Sequence, residues 1–308
     1  SHNPPNENGF KICLGKSTIY GRAIQEIRDI MVNEDFVSGK DGTCRSVSLN
    51  EKYINEICED LHIKPDGRKI KAVVDAGNGT GNIVGPDLYR CMGHDVIELY
   101  SEPDPAFPHH HPDPTVPENL RDLILKMSET GAEAGIAFDG DSDRIGVVTA
   151  GGDILWGDQL LIIFGRDILM RQPGAKIIGE VKCSEALFEE IRKAGGTPIM
   201  WKVGHSLIKA KLKEEEAALA GEMSGHLFFA DRYYGYDDAI YAGARLLELL
   251  SRSEMNLQEI ARTLPKMYNT PEIRLECPEH LKQAVVQRVA ADFSKDFLVH
   301  RIDGVRVK

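Results

Sequence analysis

The 308-residue sequence has no Cys-x-x-Cys pair, no excess of positive charge, and no apolar run near the roughly 18 residues that cross a bilayer. Each absence removes a class of function. Cys13, Cys44, Cys58, Cys91, Cys183 and Cys277 are scattered, so they do not assemble a zinc site of the usual paired spacing. In a chain of this length they read as reduced thiols, which together with the missing span places the protein in the cytoplasm, off the membrane. The formal net charge of -11 argues against a nucleic-acid binder, which needs a basic footprint, yet leaves room for a locally positive pocket that takes an anionic metabolite. The chain begins at Ser1 rather than Met, so export is not read from its first residues.

What is present is a run of alternating carboxylates, Asp139-Gly140-Asp141-Ser142-Asp143-Arg144, between apolar residues 134–138 and 145–148. At the tip of a hairpin between buried strands these charges repel one another. A hard divalent cation among them relieves the repulsion, and Mg2+ in particular is held by a few carboxylates plus a phosphate. An exposed acidic turn is the competing reading. An EF-hand is excluded, because positions six and twelve counted from Asp139 are Arg144 and Ala150 rather than Gly and Glu.

The order of elements repeats. Residues 70–75 predict a strand, 76–81 a Gly-rich turn, then a helix ending near Gly93, a strand over 95–100, a helix over 118–129, a strand to Phe138, the acidic tip and a return strand from Ile145. The second stretch predicts a strand at 176–179, a helix at 184–194, a strand at 198–201, a helix at 206–216 and a strand at 217–220. The tip Gly221-Glu222-Met223-Ser224-Gly225-His226 and a return strand at 227–230 follow. Strands alternating with helices imply α/β layers, and the hairpin after each third strand makes the sheets mixed. Residues 1–9 followed by a strand over 10–14 read as a third tip. The tail predicts a strand over 270–277, a helix over 279–294 and a strand over 300–307. These are too few elements for a core, so the chain is expected to be truncated at both ends. Between Pro103 and Pro117 lie six prolines and His109-His110-His111, which without other ligands read as a polar turn rather than a metal site.

Three tips of similar units can converge on one cleft. Ser1 beside His2 can act as a nucleophile near a base and a cation. Glu222 and Ser224, bracketed by Gly221 and Gly225, suit sugar hydroxyls, which both donate and accept. His226 is either an acid/base group or a turn cap. Lys11, Arg144, Lys182 and His205 sit at strand or loop ends where cations neutralise phosphate, and His205 follows Gly204 at a helix start where backbone N–H groups receive an anion.

Together these residues resemble the α-D-phosphohexomutases, most closely the bacterial phosphomannomutase/phosphoglucomutase branch. Four blocks carry the likeness in order: Ser1-His2-Asn3-Pro4-Pro5 with Asn8-Gly9-Phe10-Lys11; Asp139 to Arg144; Lys202-Val203-Gly204-His205-Ser206; and Gly221 to His226. The resemblance implies repeated three-layer α/β domains with mixed sheets and a partial α+β fourth domain. Expected bounds are residues 1–47, 48–153, 154–267 and 268–308. It implies Ser1 as the phosphoserine, with Asp139, Asp141, Asp143 and a phosphoserine oxygen on Mg2+. Glu222 and Ser224 are expected to read sugar hydroxyls, Lys11 and His205 to touch substrate and assist proton transfer, and His2, Arg144, Lys182, Gly204 and His226 to support the site. The implied reaction moves phosphate reversibly between C1 and C6 of a mannose or glucose phosphate through a 1,6-bisphosphate. The substrates would be hexose 1- and 6-phosphates, and a fragment would itself turn over little. A phosphoglucosamine mutase is the runner-up, although that branch usually has Gln where Met223 stands and lacks Pro5. A non-catalytic sugar-phosphate or Mg2+-binding module is the alternative from another class.

Overall fold

A computed structural model describes residues 9–15, 17–39, 42–61, 63, 64, 66–266, 273 and 275–308. Ser1 and His2, read above as nucleophile and neighbour, lie outside these residues. The described chain begins with a short hairpin of β1 (Cys13–Leu14) and β2 (Ser17–Thr18), so the strand read over 10–14 is only two residues long. Helix α1 (Arg22–Val32) follows and buries none of its residues. α2 (Asn50–Leu61) is the first helix to enter a core, through Ile57, Cys58 and Leu61.

The first sheet is built on β3 (Lys71–Asp75), whose residues 72–75 are all buried. A strand buried on both faces needs an apolar centre, here Ala72-Val73-Val74, and sits inside a parallel set. α3 (Gly85–Cys91) leads to β4 (Asp95–Leu99), and α4 (Arg121–Thr130) leads to β5 (Ala134–Phe138). Gly131 closes α4 in the left-handed region at φ 67°. β6 (Ile145–Thr149) and β7 (Ile154–Leu155) return antiparallel, giving the order β4-β3-β5-β6-β7. α4 covers one face through Leu123 and Met127, while α2 and α3 cover the other.

The second sheet follows α5 (Gly157–Arg171). It comprises β8 (Lys176–Glu180), α6 (Glu185–Lys193), β9 (Thr197–Trp201), α7 (His205–Glu214), β10 (Leu219–Gly221) and β11 (Leu227–Phe229), in the order β11-β10-β8-β9. β8 pairs parallel with β9 and β10, and β11 returns antiparallel on β10. α7 covers one face through Ile208 and Leu212; α5 and α6 cover the other. Both sheets are therefore mixed and three-layered.

α8 (Ala239–Arg252) buries every residue from Ala239 to Ser251 and packs against α2, α3, β5, β6 and β11. One apolar core runs from the first sheet through α8 to the second. Inside it Arg245 is 1% exposed, bonded through both terminal nitrogens to Asp231 at 2.8 Å and lying over the Phe229 ring. Asp231→Ala leaves that guanidinium buried with its main counter-charge gone, and should lower unfolding stability by about 3–5 kcal/mol. Urea denaturation of the two proteins checks this.

α9 (Leu257–Arg262) precedes α10 (Glu279–Phe293) and a hairpin of β12 (Val299–His300) with β13 (Arg306–Val307). The single strand read over 300–307 is corrected: the chain turns at Gly304, φ 63°, and folds back on itself. Of the strand read over 270–277, residues 270–272 and 274 lie outside the described residues, and residues 273 and 275–277 form none. The thiol reading is also corrected. α2 and α3 lie side by side, which brings Cys58 and Cys91 to a Cα separation of 6.0 Å, and they form a disulfide. Their 33-residue separation hides the pairing from any rule based on local spacing. Among the described residues no helix is long and apolar enough to cross a membrane.

Candidate active site

The tips and loops of interest all leave the C-terminal ends of parallel strands: the acidic tip from β5, residues 181–184 from β8, residues 202–204 from β9 and the Glu222 turn from β10. That is the end where open α/β sheets place their sites.

The acidic tip is held from inside. Asp139 is fully buried and accepts from the backbone N–H groups of Asp143 (3.0 Å) and Arg144 (3.1 Å) through one oxygen, and from Arg144 Nε (2.7 Å) through the other. Arg144 reaches on to Asp113 at 3.2 Å, so the Pro-rich loop braces the tip. Arg144 is thus a strut of the loop. Thr80 donates its backbone N–H to Gly140 O at 3.1 Å, and Gly79 lies so close that a Cβ there would meet that oxygen at 2.9 Å. Ser142 takes a left-handed φ of 61°, and its carbonyl accepts from Ala239 N at 3.0 Å, tying the tip to α8. The histidine run has its own partners: His109 bonds Asn78 at 2.7 Å, and His110 bonds buried Asp75 at 3.1 Å.

The second tip is held equally closely. Glu222 is 5% exposed; Oε1 accepts from Gly204 N at 2.7 Å and Oε2 from Ser224 Oγ at 3.2 Å. Glu180, which the sequence reading missed, accepts from Met223 N at 3.2 Å and from Lys182 N, so it joins the 181–184 loop to this turn. Lys182 itself is exposed, and its ammonium makes no ion pair among the described residues. Asp303 accepts from Val203 N at 3.0 Å, and Arg306 donates to the carbonyls of Val181 (2.8 Å) and Cys183 (2.6 Å), so the C-terminal hairpin fastens both loops.

The two tips meet. Ile145 N donates to Gly225 O at 3.1 Å, and Arg144 bridges His226 in antiparallel fashion. Gly225 has φ 96°, and a Cβ there would clash with the Ile145 carbonyl oxygen. This join brings His226 Nδ1 to 3.7 Å from Asp143 Oδ1. His205 comes alongside, with its ring centroid 6.0 Å from that of His226. Lys11 reaches in from the N-terminal segment and pairs with Asp143.

The sequence reading did not find Asp237, on the loop before α8. Its side chain is 4% exposed, with Lys209 Nζ at 2.9 Å, His226 Nδ1 at 3.4 Å, Lys11 Nζ at 3.5 Å and His205 Nδ1 at 3.6 Å. Burial opposes its charge, but His226, Lys209 and Lys11 hold its carboxyl far below the usual range. Burial keeps His205 below the usual imidazole range, with Lys209, Lys11 and His226 adding to the effect.

The acidic tip fits a hard cation. Asp139, Asp141 and Asp143 each offer an oxygen within 4.8 Å of the others. Asp143 Oδ1 is buried and accepts no hydrogen bond from a described residue. Burial, with the Asp143 charge beside it, pushes the Asp139 carboxyl up to about 7. A dication binds the ionised carboxylates, so protons compete with it. Divalent affinity should therefore weaken as pH falls below 7, by up to about tenfold per unit for one displaced proton. Titration calorimetry with Mn2+ at pH 8 and pH 6 measures it; equal affinities would contradict it.

Comparison with known proteins agrees with this architecture. Residues 51–152 match the model of phosphoglucomutase/phosphomannomutase alpha/beta/alpha domain II, and residues 156–268 match that of domain III. Over all 308 residues the chain is 44% identical to a phosphomannomutase/phosphoglucomutase of Pseudomonas syringae pv. tomato, spanning 65% of that protein's length. It is 45% identical to a phosphoglucomutase of Neisseria meningitidis serogroup A, spanning 67% of it. A crystal structure of a phosphoglucomutase/phosphomannomutase family protein from Burkholderia thailandensis superposes on the whole chain with a TM-score of 0.92 at 45% identity, covering 65% of that structure's chain. The chain belongs to the phosphoglucomutase/phosphomannomutase family.

Proposed function

We propose that the protein is a phosphohexomutase that moves phosphate reversibly between C1 and C6 of a mannose or glucose phosphate through a 1,6-bisphosphate, with Ser1 as phosphate carrier. The observation that carries this reading is the join of the two tips at Ile145 and Gly225. It sets a cation-binding carboxylate cluster, two imidazoles and a lysine beside a Glu–Ser pair suited to sugar hydroxyls. Each component alone has other uses. Set together, they are what phosphoryl transfer to a sugar requires.

In this reading Asp139, Asp141 and Asp143 hold Mg2+, which supplies positive charge to the transferring phosphoryl group when bound. Glu222 and Ser224 grip hydroxyls that superpose when the sugar turns end for end. Glu222 enters that task with one oxygen committed to Gly204 N and the other to Ser224. The bound sugar therefore competes for a carboxylate already fixed in place. Lys11 and His205 face the same space and manage phosphate charge and the hydroxyl proton. Lys182, exposed at the end of β8, and Arg144, holding Asp139, serve as rim cation and brace. His2, next to Ser1, and His226 complete the set.

The test is 31P NMR of mannose 1-phosphate, glucose 1-phosphate and glucosamine 1-phosphate, each with Mg2+ and a trace of the matching 1,6-bisphosphate. Conversion of the first two to 6-phosphates, with glucosamine 1-phosphate slower, is the expected result. Preferential conversion of glucosamine 1-phosphate would replace the substrate assignment. No conversion together with no label on Ser1 would end the reading.

A further inference from the structure

We propose that Asp237 is a positioning residue for the phosphohexomutase reaction, a fixed anion that holds Lys11, His205, Lys209 and His226 toward the substrate while the acidic tip is committed to a metal ion. The proposal rests on the phosphohexomutase reading above.

The four basic side chains come from three separate parts of the chain: Lys11 before β1, His205 and Lys209 one turn apart on α7, and His226 after β10. Apart from His205 and Lys209, which share α7, none of them is fixed relative to the others by its own element. Asp237 is fixed, because its backbone bridges Phe228 on β11 and the next residue, Asp238, caps α8 through Tyr241 N at 2.8 Å. Its carboxylate is therefore a rigid point on which flexible side chains converge. Asp143 is the other carboxylate near Lys11 and His226, and Asp141 and Glu222 add weaker fields. When a dication takes Asp143, Lys11 and His226 lose that partner, and Asp237 remains as a carboxylate within 3.5 Å of both.

Asp143, His226 and Asp237 also form a group with metal-ligand spacing. Lys11 and Lys209 crowd the same carboxylate, and two ammonium groups oppose a dication there. Asp237 is accordingly assigned to the basic side chains rather than to the metal.

Two substitutions separate charge from shape. Asp237→Asn keeps the shape and removes the charge; Asp237→Glu keeps the charge and changes the shape. The assay is phosphoryl transfer in the protein that carries the proposed activity, with Mn2+ binding measured in parallel. For Asp237→Asn the expected result is a fall in kcat of about 100-fold, with KM and the Mn2+ dissociation constant each within about threefold of the parent. Asp237→Glu is expected to retain more activity than Asp237→Asn, an order that a purely structural role would reverse. Full activity of Asp237→Asn, a lower activity for Asp237→Glu than for Asp237→Asn, or loss of Mn2+ binding would each overturn the proposal. If the parent protein transfers no phosphate, the mutase reading fails by itself. The positioning role is then decided by the imidazole 15N resonances of His205 and His226, which must shift in Asp237→Asn; unchanged resonances would refute it.

Discussion

Asp141→Ala should abolish useful divalent-cation binding, weakening it by at least about 100-fold, and should lower phosphoryl transfer by about 1000-fold, the several kcal/mol that a metal's charge contributes to such a transition state. Of the three carboxylates this is the cleanest to remove. Asp139 carries the bonds to Arg144 and to two backbone N–H groups, so its loss would collapse the tip along with the site. Asp143 is paired with Lys11 and lies near His226, so its loss would disturb the cations too. Asp141 is only half-buried and adds to the repulsion at the tip. Its removal should therefore lower thermal stability less than the removal of Asp139 does, while the metal is lost. Calorimetric titration with Mn2+, melting curves and the 31P assay check the three parts. Loss of stability in step with activity would show that the tip is a structural turn.

Gly225→Ala should have the second-largest effect, by a different route. The residue sits at φ 96°, a conformation that costs a side chain about 1–3 kcal/mol, and its new Cβ would lie inside contact distance of the Ile145 carbonyl oxygen. The turn must move away from β6, which breaks the Ile145–Gly225 hydrogen bond and carries His226 away from Asp143. A displacement of about 1 Å in a reacting group costs on the order of 100-fold in rate. The expected result is a loss of that size with Mn2+ affinity retained, because the acidic tip is braced independently by Thr80, Asp113 and Ala239. Faster limited proteolysis at the turn would report the loosened join. A Gly225→Ala protein with normal turnover would mean that the contact between the tips does not position the chemistry.

The strands and tips were legible because each carries a local signal. Val73–Val74 and Ile136 make buried strands unmistakable, Gly93 and Gly195 mark helix ends, and the carboxylates at 139, 141 and 143 fall between two apolar runs. Helix α5 left no such trace, because it is apolar nearly all round and a helix buried on most sides shows little period. Helix α8 does keep a polar stripe, with Arg245, Glu248 and Arg252 among its apolar residues, and the sequence reading missed it. Asp237 and Asp238 show the same limit at one position. An acidic pair before an apolar run signals a helix cap, and Asp238 is that cap. That its neighbour gathers four basic side chains depends on contacts with residues as distant in sequence as Lys11. Glu180 and Asp113 were hidden for the same reason, and so was the Cys58–Cys91 pair.

The most direct measurement uses the paramagnetism of Mn2+ bound to protein with 15N-labelled histidine. His226 and His205 lie across from the acidic tip, whereas His94 precedes the first residue of β4, at the opposite end of the parallel strands from the tip. A single ion seated on Asp139, Asp141 and Asp143 should broaden the imidazole resonances of His226 and His205 and leave that of His94 sharp. Sharp His226 and His205 resonances at saturating Mn2+ would mean that the two tips do not share a cavity.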